Sequence, residues 1–371
     1  MTDRTLPLPD LPQPGRGRVV GTAKGYTPPA PSAPKARTAR ATRPARPARP
    51  PVPGPTPGPT SGPPPPSPPD DAGRRPAQAR VPGLEPRLRP RIFAGVVAVL
   101  ALWGVWATWD TFVVSERGQR ADQLAFAGAV NGKGVLWELA EPVLGLVSNS
   151  FVGIGLAVAV VFALARGRWW LAAQVAILVV GSNLTTQVLK HGILDRPALL
   201  DVPRADINTL PSGHTTVAAS VAAGLLIAVP RRWRPVVAVA GAAYTGATGV
   251  STLVGQWHRP SDVVAAVLVV LAWSAGVCAL SSPSSLDEPR VGLERGALEP
   301  GSSATAGLLL LGTAVTGALA IGALGSVRGY GWGLPLGGDL TAYMGGALGV
   351  IAVTLAAFAV LLLTRQSTAR P

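Results

Sequence analysis

The chain contains three histidines, His191, His214 and His258, all between Lys190 and Asp262. Two lie in short polar strings, Pro211-Ser212-Gly213-His214 and Trp257-His258-Arg259-Pro260-Ser261-Asp262, each at the foot of a long apolar run. Imidazole titrates nearest neutrality, so two of them beside an aspartate, an arginine and a lysine form a set suited to moving protons and phosphoryl groups. His258 and Asp262 are four residues apart, about one helical turn, so the carboxylate can hold one ring nitrogen and leave the other free to attack phosphorus. Lys190 and Arg196 precede the first string and can supply charge to phosphate oxygens.

Helix starts must position these groups. Ser212 stands where a helix begins, with the Gly213 amide and His214 in its first turn, and free N–H groups at such a point attract phosphate. Pro260 suits the first turn of the following span, so His258 and Asp262 flank a second helix start on the same membrane face.

The rest of the chain is built for lipid. Charged residues make up 14% of the 371, against roughly 25% in an average soluble domain. Eight candidate spans, at 92–114, 143–165, 169–189, 212–230, 235–254, 261–280, 304–325 and 341–364, each approach the roughly 20 residues needed to cross the bilayer. The expected fold is therefore an all-α polytopic transmembrane helical bundle. Gly241, Gly246 and Gly249 predict close helix packing. The single cysteine, Cys278, excludes an intramolecular disulfide, and no Cys/His cluster with metal-ligand spacing exists, so neither a metal nor another cofactor is expected.

Of the net charge of +14, residues 1–91 carry sixteen Lys/Arg against five Asp/Glu. The Pro/Ala/Arg tract of residues 1–90 has too few large apolar side chains to fold and is expected to be a disordered cytoplasmic tail that contacts anionic lipid headgroups or sets topology. No nucleic acid partner is expected. Arg87, Arg89, Arg91, Arg166, Arg168, Arg231, Arg232, Arg234, Arg365 and Arg370 fall on one side of an eight-span arrangement, which places the N-terminus in the cytoplasm and both histidine strings outside a plasma membrane.

These polar strings resemble the type 2 phosphatidic acid phosphatase family (PAP2, or lipid phosphate phosphatases), whose motifs read K-x6-R-P, P-S-G-H and S-R-x5-H-x3-D. Pro211-Ser212-Gly213-His214 matches the second motif fully. Ser251, His258 and Asp262 match the third, with Thr252 where the family has Arg; Lys190, Arg196 and Pro197 match the first with five intervening residues instead of six. The resemblance implies a six-helix PAP2-like core over 91–281, with a linker and an added pair of C-terminal transmembrane helices over 282–371. It implies His258 as nucleophile, Asp262 orienting it, His214 as proton donor and then base, and Lys190, Arg196, Ser212 and Gly213 on the phosphate. Arg259 or Arg204 would supply the charge that Thr252 lacks.

The resulting expectation is an integral membrane phosphatase acting on a lipid phosphate or diphosphate, of the polyprenyl diphosphate or phosphatidic acid type, through a phosphohistidine. A lipid phosphotransferase using the same site and a lipid-binding or transport protein are the alternatives. His191, Asp110, Glu138 and Glu141 read as interfacial residues, and Asp195 and Asp201 as loop charges.

Overall fold

A computed structural model describes residues 87–145, 157, 161, 165, 168–202, 206–282, 285–287, 303–327 and 338–370. The chain divides into two units, Met1–Arg74 and Arg75–Pro371, and every described residue lies in the second. The expected tail up to residue 86, most of the span at 143–165, Arg166 and Arg204 lie outside the described residues.

The described residues form helices and no strands: α1 (Leu88–Trp109), α2 (Glu116–Gly128), α3 (Val130–Gly145), α4 (Trp169–Val188), α5 (Gly213–Ala228), α6 (Arg234–Val254), α7 (Pro260–Ala279), α8 (Ser303–Val327) and α9 (Gly338–Thr368). Short π-helical turns, Asp110–Val114 and Leu189–Ile193, extend α1 and α4. Helices satisfy their own backbone groups, which hydrocarbon cannot do for them.

Among the described residues, six helical segments are long and apolar enough to cross a membrane: Leu88–Val114, Trp169–Ile193, Arg231–Val254, Pro260–Ala279, Ser303–Val327 and Gly338–Thr368. The chain is thus a multi-pass membrane protein. Its outer faces are apolar, with Val99, Leu100 and Trp103 on α1, Ile177, Val180 and Leu184 on α4, and Leu308, Leu311 and Ile321 on α8 all exposed. A band of that kind has lipid as its natural solvent.

The expected span at 212–230 is shorter than predicted. Ser212 caps its start and Pro230 follows its end, leaving the 16 residues of α5, about 24 Å of helix against about 30 Å of hydrocarbon. The segment 115–142, between the first two expected spans, contains α2 and most of α3.

Two of the three expected glycine contacts occur. A side chain at Gly241 would strike Phe358 of α9 and Ala222 of α5, and one at Gly249 would strike Val263 of α7 and Val350 of α9. Nothing lies within 4 Å of a Cβ at Gly246, which instead lines an apolar groove between α6 and α9.

The C-terminal helices pack directly on the rest of the bundle. α9 runs against α2, α6 and α7 as well as α8. Near its start, Gly346 is so close to α7 that a Cβ there would lie 2.5 Å from Pro260 Cγ, and Gly128 of α2 similarly abuts the Asp339 carbonyl. At its far end, buried Arg365 donates to the carbonyls of Ile227 (3.2 Å) and Ser285 (3.0 Å). Arg234 pairs with both oxygens of Asp287, and Arg231 reaches the same carboxylate at 3.4 Å and the Gln366 carbonyl at 3.1 Å. Burial alone would raise the Asp287 carboxyl; the charges of Arg234, Arg365 and Arg231 outweigh it and hold the group below the usual range.

Candidate active site

Ser212 initiates α5, its hydroxyl accepting from the Thr215 amide (3.4 Å) and the Thr215 hydroxyl (3.1 Å) while keeping its own proton to donate. Its amide donates to the Asp262 carbonyl at 2.9 Å, so the starts of α5 and α7 are joined by a backbone hydrogen bond. A Cβ at Gly213 would meet nothing nearer than Gln187 at 3.9 Å, which leaves the helix start open to a ligand.

Asp262, in the first turn of α7, is fully buried. Its Oδ2 lies 3.1 Å from His258 Nδ1 and also accepts from the Thr209 hydroxyl (2.6 Å) and the Arg259 amide (2.9 Å). With Nδ1 so engaged, Nε2 is the ring nitrogen left for chemistry. His258 is nearly buried, whereas His214 is exposed, and the two rings are 6.4 Å apart between centroids. Trp257 stacks at a tilt against His214 at 5.3 Å and edge-on against Trp137 of α3 at 6.5 Å.

Lys190 sits in the π-helical turn after α4, close enough to Asp262 and His214 for the charges to act on one another. Asn208 ties that turn down, donating to the carbonyls of Lys190 (3.1 Å) and Leu194. Arg196 is buried on the segment that follows. Burial lowers its pKa, the charge of Arg259 lowers it further, and Asp122 and Asp262 oppose both. His191 is exposed and Asp195 offers its carbonyl to Trp109 Nε1 at 3.0 Å.

The third-motif positions differ in kind. Thr252 is buried and its hydroxyl donates to the Gly249 carbonyl of its own helix at 2.7 Å. Its carbonyl accepts from the amides of Trp257 (3.0 Å) and His258 (3.3 Å), so this residue holds the turn that delivers the histidine. Within that turn Gln256 adopts φ 55°, a left-handed conformation costing roughly 1–2 kcal/mol in a non-glycine residue, and its side chain donates to the Phe126 carbonyl at 3.1 Å. The buried Arg259 guanidinium reaches Gln123 (3.2 Å), the Thr209 hydroxyl (3.3 Å) and the Ile207 carbonyl (3.5 Å), and lies 5.4 Å from the Phe126 ring centre.

Gln123 and Phe126 belong to α2, which lies between the first two expected spans. Gln119, Asp122, Gln123 and Phe126 recur at helical spacing and form one face against the site. Gln119 donates to the carbonyls of Val113 (2.7 Å) and Pro197 (2.6 Å), the latter in the first motif. Asp122 accepts from the Ser261 amide at 3.3 Å and from the Ser261 hydroxyl. The 3.6-residue repeat of amide and carboxylate side chains was the available signal, with Ser115 capping the helix through the Gly118 amide at 3.0 Å. Among the described residues no three His, Cys, Asp or Glu side chains gather as metal ligands.

A search of curated proteins and a search of solved structures returned no match to the chain. The scan against family models did: residues 169–284 match the family described as PAP2 superfamily. All eight residues selected from sequence, Lys190, Arg196, Ser212, Gly213, His214, His258, Arg259 and Asp262, fall inside that match. Through this segment the chain, a multi-pass helical protein, is similar to the PAP2 superfamily.

Proposed function

We propose that the protein is an integral membrane phosphatase that hydrolyses a lipid phosphate or diphosphate, of the phosphatidic acid or polyprenyl diphosphate type, through a phosphohistidine at His258. The observation that carries this reading is the 3.1 Å contact between His258 Nδ1 and Asp262, with His214 facing the same ring. The match of residues 169–284 to a superfamily of phosphatases supports the reaction class.

In the first step His258 Nε2 attacks phosphorus as the bond to the leaving lipid oxygen breaks, and His214 gives that oxygen its proton. Asp262 steadies the imidazolium that forms. In the second, His214 takes a proton from water, the hydroxide attacks phosphorus, and the P–N bond breaks to return His258. Lys190, Arg196, the Ser212 hydroxyl and the Gly213 amide bind the phosphate oxygens. Arg259 adds charge beside Arg196.

Charge supports a position on the extracytoplasmic face of the plasma membrane. The site opens at the Pro260 end of α7, whereas Arg91 donates to Ala279 at the other end (2.7 Å) and Arg168 to Leu286 beyond it (2.6 Å). Twenty residues of helix separate the two ends by about 30 Å, and basic residues favour the cytoplasm. The basic N-terminal tail would then meet the anionic inner leaflet.

The test is phosphate release by the purified full chain in detergent, without added metal, from phosphatidic acid, phosphatidylglycerol phosphate and a polyprenyl diphosphate, beside His258→Ala. Release that vanishes in the variant is expected. Release that survives it, or none from any substrate, overturns the assignment.

A further inference from the structure

We propose that Asp122 is a positioning residue of this site, fixing the first turn of α7 through Ser261 and setting how much of the Arg196 charge is left for a phosphate. The inference rests on the phosphate-binding reading above and adds to it a residue from α2, upstream of the family match at 169–284.

Three observations converge on it. Asp122 is 3% exposed, and both its oxygens engage Ser261, one the amide and one the hydroxyl. Ser261 lies between Pro260 and Asp262, so a carboxylate from another helix caps the turn whose own carboxylate holds His258. Two acids therefore share one helix start, with Arg196 within electrostatic reach of both. Finally, Asp122 and Ser261 line a cavity of about 90 Å³ otherwise walled by uncharged groups, among them Thr108 and Phe112 near the end of α1, Leu324 of α8 and Gly346 of α9. The charged groups that act on Asp122 are Asp262 and Arg196, and Arg259 acts in turn on Arg196.

That setting makes the acid titrate near neutrality. Burial pushes the Asp122 carboxyl up to about 7, the charge of Asp262 adds to the rise, and the Ser261 hydroxyl, Arg196 and the Ser261 amide oppose it. Protonated, Asp122 no longer offsets the charge that Arg196 presents to an anion. Ionised, it competes for the same guanidinium, so anion affinity falls as pH rises through neutrality.

The experiment uses the full chain in detergent and sulfate as probe, because sulfate remains a dianion throughout the range and the probe itself does not titrate. Thermal stabilisation by sulfate is measured from about pH 5.5 to 8.5 for the wild type, Asp122→Asn and Ser261→Ala, with KM and kcat for phosphatidic acid alongside. In the wild type the sulfate affinity is expected to drop roughly threefold to tenfold across neutrality; Asp122→Asn, neutral and of the same shape, flattens that profile. Ser261→Ala removes one of the two bonds that favour the ionised acid, the hydroxyl's, and keeps the amide's, and so moves the midpoint upward. An Asp122→Asn profile that follows the wild type, or a Ser261→Ala midpoint that does not move, overturns the proposal. The two readings fail separately: sulfate behaviour as expected with no phosphate release removes the phosphatase assignment alone, whereas His258-dependent release with a pH profile indifferent to Asp122 removes this one alone.

Discussion

Thr209 and His258 are held by the same oxygen of Asp262, the hydroxyl at 2.6 Å and the ring nitrogen at 3.1 Å. The threonine thus fixes the carboxylate that fixes the histidine. Asp262→Asn should lower kcat about 10²-fold or more with little change in KM, and Thr209→Val about tenfold, measured as steady-state phosphate release. Equal activity of Asp262→Asn and the wild type would remove the orienting role.

Arg259 tests the missing motif cation. It bridges Gln123 of α2 and Thr209 beside the site, so Arg259→Ala should cost about 10²-fold in turnover, and Arg259→Lys should recover only part because a point charge cannot span both partners. Full turnover in Arg259→Ala would leave Arg196 and Lys190 as sufficient cations. Restoring the family residue by Thr252→Arg is expected to fail, since Thr252 is fully buried and its hydroxyl belongs to its own helix.

Asp287 offers a stability measurement away from the chemistry. Removing its charge by Asp287→Asn leaves Arg234 and Arg231 buried without their carboxylate and should cost about 3–5 kcal/mol, read as a lower unfolding temperature in detergent. Because its folded pKa lies below the unfolded value, the stability it provides is complete above the unfolded pKa and is lost as pH falls through the folded one. The wild type should therefore lose this contribution in acid, and the Asn variant should show a correspondingly flatter pH dependence.

Gly346 and Gly322 make a paired test of α9 packing. Gly346→Ala forces a Cβ to within 2.5 Å of Pro260 and should destabilise by about 1–3 kcal/mol while lowering turnover. Gly322→Ala, with nothing within 4 Å, should leave both unchanged. Equal behaviour of the two variants would show that α9 yields at no cost.

The polar strings were legible because chemistry confines them: His258 and Asp262 must be a turn apart, and Ser212 and Pro260 announce helix starts in any context. The long spans were legible because hydrocarbon demands uninterrupted apolar length. Asp122 was not, because its meaning depends on Ser261, 139 residues away, and an acid in a polar outer segment reads as solvated until a partner helix encloses it. Gly246 failed for the opposite reason. Its spacing matches Gly241 and Gly249, but no neighbour occupies the space that its missing side chain leaves. Arg259 read as a phosphate ligand from its place beside His258, while its hydrogen bonds to Gln123 and Thr209 depend on α2.

Pro260 is pressed by Gly346 from one side while Ser261, next in sequence, is gripped by Asp122 from another. The segment recognisable by family, 169–284, therefore does not travel as a cassette. A chimera that exchanged it for the corresponding segment of a PAP2 superfamily protein would inherit every motif residue and still lose its register against α2 and α9, so such an exchange has to carry the flanking helices along.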